Sequence, residues 1–488
     1  MELDRDLASI QEVRILASAA KKAQSELALL DQRHIDAIVL AMTEAAEKSA
    51  GHLARMAVEE TGFGVVEDKV TKNLFASRTV YESIRDVKSI GIIGEDSEKK
   101  IVLAAVPVGV VAGLIPSTNP TSTTIFKALI SVKAGNAVIF SPHPSAVRCI
   151  AETVRILSKA ASEAGAPEGV ISTMTIPTVQ GTQELMKRVN LILATGGTAM
   201  VKAAYSSGTP ALGVGPGNVP AFIERTADIQ KAVRRIMASK TFDNGTICAS
   251  EQAIVTEACI INEVAAEFRR QGGYFVSGGD ADKIALLIKR PGSDTVNPRI
   301  VGRSALEIAE MAGVQVPRDT RVILCEQDKV GPEAPFSMEK LSPLLAFYTE
   351  QDWQSACERC LQLLHFGGIG HSLSIHTENR ELVRTFLLQK PVSRLLVNTG
   401  STQGGIGATT GIMPSLTLGC GAVGGSATSD NVTVHHLFQI RRAAWGLLEP
   451  EAVGKNNAPL NSEEKKEKTN PDVEAIVEAV LRQLRGLQ

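Results

Sequence analysis

Val108-Gly109-Val110-Val111-Ala112-Gly113-Leu114-Ile115-Pro116-Ser117-Thr118-Asn119-Pro120 is the stretch on which the fold class turns. A β-branched run stops at Pro116, a residue with no N–H to offer a ladder. A helical segment follows over 123–133 and ends at Gly135. The apolar run from Ile101 to Pro116 imitates a membrane span. Pro107, Gly109 and Gly113 interrupt it, however, and it falls short of the ~20 residues a spanning helix needs. It reads better as successive buried strands.

Outward from this stretch the same alternation repeats. Ala137–Phe140 predicts a strand, and 146–164 a helix closed by Gly165. The run 170–176, then 184–189, then 191–194 continue the series. Strand–helix–strand repetition with short links predicts an α/β fold, a parallel sheet covered on both faces. Upstream, residues 4 to 60 read as helices, with Leu27, Leu30, Ile35, Ile38 and Met42 near a 3.6-residue spacing. Downstream, a second α/β region spans about 218–424. Residues 431–440 read as a strand that pairs outside its own domain.

At 488 residues the chain exceeds one hydrophobic core, so two or more domains are expected. Its 44% hydrophobic and 21% charged content is ordinary for a globular protein. A net charge of −2 gives no reason to expect nucleic acid or an anionic membrane as partner. Met1-Glu2-Leu3-Asp4 lacks the basic start of a signal peptide. Seven scattered cysteines form no disulfide framework and point to a reducing, cytoplasmic setting. No metal-binding spacing occurs. Trp353, Cys357, Cys360, Leu361 and Leu364 share one helical stripe, which favours core packing over a redox pair.

Several loops carry chemistry. Asp243-Asn244-Gly245-Thr246-Ile247-Cys248-Ala249-Ser250-Glu251-Gln252 sets a thiol in a run that makes neither a good helix nor a clean strand. Ile115-Pro116-Ser117-Thr118-Asn119-Pro120 and Ser141-Pro142-His143-Pro144-Ser145 each end a predicted strand, where ligands bind in open α/β sheets. Ala194-Thr195-Gly196-Gly197 leads into a helix whose amides suit a pyrophosphate. Val214-Gly215-Pro216-Gly217-Asn218 is a second glycine-rich turn.

In this order and spacing, over about residues 19–444, these segments resemble the aldehyde dehydrogenase superfamily, and most of all its CoA-acylating branch. Further carriers are Lys240-Thr241-Phe242-Asp243-Asn244-Gly245, Glu339-Lys340-Leu341-Ser342-Pro343 and Pro414-Ser415-Leu416-Thr417-Leu418-Gly419-Cys420-Gly421. The resemblance implies a Rossmann-like cofactor domain (1–97 and 110–215) and an α/β catalytic domain (216–424). It also implies a small β oligomerisation flap (98–109 and 425–446), and with it a homodimer or homotetramer. It implies NAD as cofactor and coenzyme A as co-substrate, with a short aldehyde, acetaldehyde first, as substrate. Cys248 matches the nucleophile, Asn119 the oxyanion donor and Glu339 the carboxylate that holds the nicotinamide ribose. Pro116, Ser117, Thr118, Ser141, His143, Thr195, Gly196, Gly197 and Gly215 fall on the cofactor loops. His143 stands where many hydrolytic members have a lysine near the adenosine ribose, so the choice of NAD over NADP follows from the branch alone.

One departure from the wider superfamily decides the fate of the acyl group. Where hydrolytic members carry a glutamate base, this chain has Val214. Without a carboxylate to deprotonate water, a thioester on Cys248 survives until another thiol arrives. His371 either assists that thiol's deprotonation or is a turn histidine. The small, polar loop 407–413 is expected to border the acyl pocket, which also admits propionaldehyde or sulfoacetaldehyde. A phosphate-dependent semialdehyde dehydrogenase and a structural subunit with a vestigial site are the competing classes.

Residues 447–469 have linker composition. Asn470-Pro471-Asp472 then starts a helix over 470–488, with Val473, Ile476, Val477, Val480, Leu481 and Leu484 on one face. Such a stripe needs a groove. It folds back on its own domain, pairs in an oligomer, or addresses the enzyme elsewhere. It resembles the encapsulation peptides of enzymes packaged in bacterial microcompartments, which implies a shell protein as partner and a location inside such a compartment.

Overall fold

Asp4 starts the first helix, α1 (Arg5–Leu27), its carboxylate accepting the N–H groups of Asp6 and Leu7. Asp31 caps α2 (Gln32–Thr61) in the same way, and Gly62, at φ +69°, ends it in the left-handed region. Ile35, Ile38, Val39, Met42 and Ala46 form the buried stripe of α2. A short helix, α3 (Val66–Leu74), opens with Glu67 and Asp68 at the positive end of its dipole. The structure, a computed structural model, describes residues 4–450. The linker from 451 and the helix expected over 470–488 lie outside the described residues.

Fifteen strands follow in three sheets. Strands β1 (Gly91–Asp96) and β2 (Ile101–Pro107) precede β3 (Val110–Ile115), β4 (Ala137–Pro142), β5 (Ile171–Thr173), β6 (Leu191–Thr195) and β7 (Ala211–Val214). Then come β8 (Val219–Ile223), β9 (Glu251–Glu257), β10 (Gly273–Val276), β11 (Val322–Glu326), β12 (Leu344–Glu350), β13 (Gly370–His376) and β14 (Val392–Val397), and last β15 (Phe438–Ala444). A five-stranded sheet has the order β5-β4-β3-β6-β7, and a seven-stranded sheet the order β10-β11-β12-β9-β8-β13-β14. All pairs in both are parallel. Every residue of β3, β4, β8 and β9 is buried, as expected of strands covered on both faces. Val110, Val111, Leu114 and Ile115 alone bury side chains worth roughly 1.5–3 kcal/mol each.

These two sheets belong to one compact unit, Met1–Gly91 with Val106–Gln439. A second unit, which among the described residues comprises 92–105 and 440–450, holds most of a three-stranded sheet of order β1-β2-β15. Its last strand is exposed along nearly its whole length.

Element boundaries differ from the sequence reading in several places, among them the segment read over 184–189, which is a helix over Val179–Arg188. The helix after β3 begins at Pro120, because proline at the first turn gives up an N–H that has no partner anyway. Strand β5 is only Ile171–Thr173. The strand read over 431–440 begins at Phe438, after a tight turn, Val434–His436, capped by Thr433. Glu251 and Gln252, read as part of an irregular run, begin β9. Their side chains have buried partners: Glu251 accepts the Ser401 N–H at 2.7 Å, and Gln252 accepts the Lys340 N–H at 3.1 Å.

Candidate active site

In the five-stranded sheet the chain moves outward from β3 in one direction and from β6 in the other. The crevice beyond their carboxyl ends is therefore the topological switch point, where open α/β sheets bind ligands. Lys127 is fully buried there and donates to the carbonyls of Leu114 and Leu193, each at 2.8 Å, tying the ends of β3 and β6 together. Burial pulls its pKa well down, so the amine sits there without a counter-ion. A cavity of about 340 Å³ opens at this point.

The cavity wall gathers Pro116, Ser117, Thr118, Asn119, Ser141, His143, Thr195, Gly196, Gly197, Gly215, Cys248 and Glu339. Twelve of the thirteen residues singled out in the sequence thus meet in one place. Ser141 shares a 2.8 Å hydrogen bond with Thr182, and Thr195 lies 3.3 Å from the Thr417 hydroxyl. His143 accepts the Ser145 N–H through Nδ1 at 3.2 Å. A Cβ at Gly197 or Gly215 would find nothing within 4 Å, and one at Gly196 would meet only Met200, at 3.8 Å. No packing inside the protein requires glycine at these positions. Their bare backbone, beside the amino end of helix Thr198–Tyr205, leaves room of the kind a dinucleotide pyrophosphate needs.

Cys248 is half-buried between a tight turn, Phe242–Gly245, and β9. Asp243 and Asn244 in that turn both adopt φ +50°, and Gly245 φ +76°. This strained geometry is held from outside by charged partners on α3. Asp243 accepts the Val65 N–H at 2.8 Å and the Lys69 ammonium at 3.0 Å, and it pairs with Lys72. Gly64 leaves room for this carboxylate, since a Cβ there would lie 1.9 Å from Asp243 Oδ1. Burial, aided by Glu339 and Cys420, pushes the Cys248 thiol up to about 12, while Arg394 pulls the other way. The sulfur must lose its proton before it can attack.

Asn119 Oδ1 accepts from Lys72 Nζ at 2.7 Å, and one hydrogen of Nδ2 goes to the Thr246 carbonyl at 2.9 Å. The second Nδ2 hydrogen has only a long contact, to Thr118 Oγ1 at 3.5 Å, and lies on the cavity wall. Glu339 accepts the Gly217 N–H at 3.0 Å; burial raises its pKa to about 7 against the pull of that bond and of Lys240 and Lys340. Lys340, on the same loop, donates to the carbonyls of Gln252, Phe336 and Met338, which fixes where Glu339 stands. Val214 is buried on the wall.

His371 is the predicted residue that does not line the cavity. It is fully buried on β13, with Nδ1 3.1 Å from Ser372 Oγ and Nε2 without a partner. Burial, with the Arg394 guanidinium adjacent, pushes its pKa down to about 3. Gly217 lies beside both residues: a Cβ there would sit 2.2 Å from the Cys248 carbonyl and 3.1 Å from the His371 ring.

Other residues of the cavity wall were not assigned to the site from the sequence. The loop 407–413 does not border the cavity; the apolar wall near Cys248 is Ile247, Ile406, Leu416 and Leu418. Pro177 and Thr178 line the opposite end, where Thr178 caps helix Val179–Arg188. A proline followed by a capping threonine was a legible helix start, but nothing marked it as ligand-facing. Arg394 carries a buried guanidinium bound to the His371 carbonyl and Ser372 with no carboxylate in hydrogen-bond reach. Cys357 and Cys360 are buried in the core.

A profile of the aldehyde dehydrogenase family matches residues 5–283. The chain is 44% identical over 443 residues to the bifunctional aldehyde-alcohol dehydrogenase of Escherichia coli strain K12, an alignment covering 89% of this chain and 50% of that protein. It thus spans about half the length of the first curated relatives it matches. An acetylating aldehyde dehydrogenase from Geobacillus thermoglucosidasius shares 55% identity and superposes with a TM-score of 0.90, covering 92% of this chain and 99% of that one. A propionaldehyde dehydrogenase from the fucose utilisation bacterial microcompartment of Clostridium phytofermentans shares 28% identity at a TM-score of 0.80, covering 89% and 97%. Fold, switch-point cavity and sequence agree, and this chain belongs to the aldehyde dehydrogenase family.

Proposed function

We propose that this chain oxidises a short aldehyde, acetaldehyde first, with NAD and coenzyme A to acyl-CoA and NADH through a thioester on Cys248. The observation that carries this reading is a single wall bearing a thiol, the Asn119 amide, whose second N–H has only a long contact, and, at position 214, an aliphatic side chain instead of an acid. The Cys248 sulfur, once deprotonated, adds to the aldehyde carbon. The C=O π pair moves to oxygen, and the alkoxide is received by Asn119 Nδ2 and the backbone N–H of Cys248. Thr195, Gly196, Gly197, Gly215, Ser141 and His143 hold NAD, and Glu339 its ribose. When bound, NAD supplies the acceptor for the aldehyde hydrogen that leaves as hydride.

What remains on Cys248 is a thioester. Glu339 is the one acid lining the cavity among the described residues; in this reading it is engaged by the Gly217 N–H and the NAD ribose, and Val214 offers water no base at the acyl carbon. The coenzyme A thiol is then the acceptor. His371, the base expected from the sequence, stands off the cavity wall and is disfavoured as a proton acceptor by burial and Arg394, so the thiol's proton leaves to solvent. Ile247, Ile406, Leu416 and Leu418 favour a short apolar acyl group. No Lys or Arg lines the cavity, which disfavours sulfoacetaldehyde, whose sulfonate needs a cationic partner.

Assays with acetaldehyde, propionaldehyde and sulfoacetaldehyde, each with NAD or NADP and with coenzyme A, phosphate or neither, test the reading. NADH formation is expected to require coenzyme A and to rank acetaldehyde first and sulfoacetaldehyde last. Equal rates without coenzyme A, with free acid as product, would reject it. The Clostridium phytofermentans neighbour and the apolar stripe at 473–484 together support a location inside a microcompartment. A fluorescent protein fused to Asn461–Gln488 is expected to gather at assembled shells; diffuse signal beside intact shells counts against it.

A further inference from the structure

Two buried lysines on one face of α3, Lys69 and Lys72, converge on a single carboxylate, Asp243. All three are almost fully buried. Two cations on one anion leave a surplus positive charge inside the protein, normally an expensive arrangement. The groups facing Lys72 are Asp243 and Thr246 from the turn before the nucleophile, Lys69 and Asp68 from its own helix, Asn119 from the loop after β3, and the Phe242 ring, 5.5 Å away. Asp68 is only half-buried and is spent on the Asp243 N–H, at 2.7 Å. Lys69 turns its remaining donor capacity to the Thr118 carbonyl at 3.0 Å. Of the two ammonium groups, Lys72 is the one that reaches a side chain on the cavity wall: Asn119 Oδ1, at 2.7 Å.

We propose that Lys72 is a positioning residue for the oxyanion site, its ammonium fixing and polarising the Asn119 amide so that the Nδ2 hydrogen held only by the long Thr118 contact meets the alkoxide formed on Cys248. The geometry is a relay. Pulling electron density toward Oδ1 makes the opposite N–H a stronger donor, and hydrogen bonds in a low-dielectric interior reinforce one another. The Thr246 carbonyl takes the other Nδ2 hydrogen, so the amide is held at both ends and cannot flip. In the step served, the Cys248 thiolate, its proton already given up to solvent, donates a lone pair to form the S–C bond. The C=O π pair becomes the alkoxide lone pair, and nothing else is transferred. This role rests on the acylating reading above.

Burial and Lys69 bring the Lys72 pKa down to about 8 against the pull of Asp243 and Asp68. The polarising charge is therefore present below pH 8 and lost above it, so kcat should carry an alkaline limb there. The experiment is a double-mutant cycle on the full chain with Lys72→Met, Asn119→Ala and both. Lys72→Met is expected to lower kcat about 10- to 100-fold with KM for NAD unchanged, and to cost nothing more once Asn119→Ala is present. An undiminished loss in the Asn119→Ala background overturns the proposal and leaves Lys72 a structural cation. If Lys72→Met does not fold, Lys72→Arg decides: the alkaline limb should move up by more than a pH unit, and an unmoved limb overturns it. A wild-type chain that makes no NADH with aldehyde and coenzyme A overturns the acylating reading itself. An active wild type without coupling overturns only the role of Lys72.

Discussion

Cys248→Ser is expected to lower coenzyme A-dependent NADH formation by on the order of 10⁴-fold. Its affinity for NAD and its melting temperature should stay close to those of the parent. A hydroxyl holds its proton far more tightly than a thiol, and the site is already hostile to charge on this atom, pushing the thiol up to about 12. The replacement is nearly isosteric and the position is only half-buried, so little packing is lost. Steady-state kinetics beside a thermal melt separate the two effects. Turnover within tenfold of the parent, in a folded variant, would remove the covalent step and with it the whole mechanism.

The second large effect is a gain. Val214→Glu is expected to raise NADH formation in the absence of coenzyme A by about 10²–10³-fold over the parent's own background, the range a positioned general base supplies. The product should move from acyl-CoA to free acid. Val214 is 2% exposed and lines the same cavity as Cys248, so a carboxylate there faces the acyl group. Burial raises that carboxylate's pKa, so the hydrolytic rate should climb as pH rises through and beyond neutrality. A stability loss of about 1–3 kcal/mol accompanies the buried acid. Product analysis at zero coenzyme A decides the matter. A folded variant that binds NAD normally and still makes no acid would mean that something other than the missing base protects the thioester.

The parallel α/β architecture was legible from β3 and β4, apolar runs punctuated by proline and glycine, the signature of strands buried on both faces, whereas β9 opens on Glu251-Gln252 and was hidden in a polar run. The loops that line the cavity were legible for a related reason, since they stand where those runs stop. The sequence was silent on side chains that act through another chain segment. Lys69 and Lys72 look like the solvated face of a charged helix, and nothing in Val66–Leu74 reveals that an aspartate some 170 residues later receives them. The acyl wall was misplaced for the opposite reason. Residues 407–413 have a pocket-like composition, but Gly407 turns the chain at φ +84°, and the wall falls to Ile406, Leu416 and Leu418 on either side. His371 was picked out as a residue type that suits proton transfer, and its distance from solvent is a property of β13 that no local pattern encodes.

Gly217 is the hub of this centre. Its N–H holds Glu339, and its Cα hydrogens occupy the gap between the Cys248 carbonyl and the His371 ring. Even a methyl group would prise the nucleophile loop from the imidazole while tugging the acid out of register. Spacing among these three groups is therefore set by a residue that has no conservative replacement. Under the proposed chemistry, acceptance of larger acyl groups is tuned at the aliphatic lining, 247, 406, 416 and 418, which gives directed evolution an adjustable dial there and an immovable axle at 217.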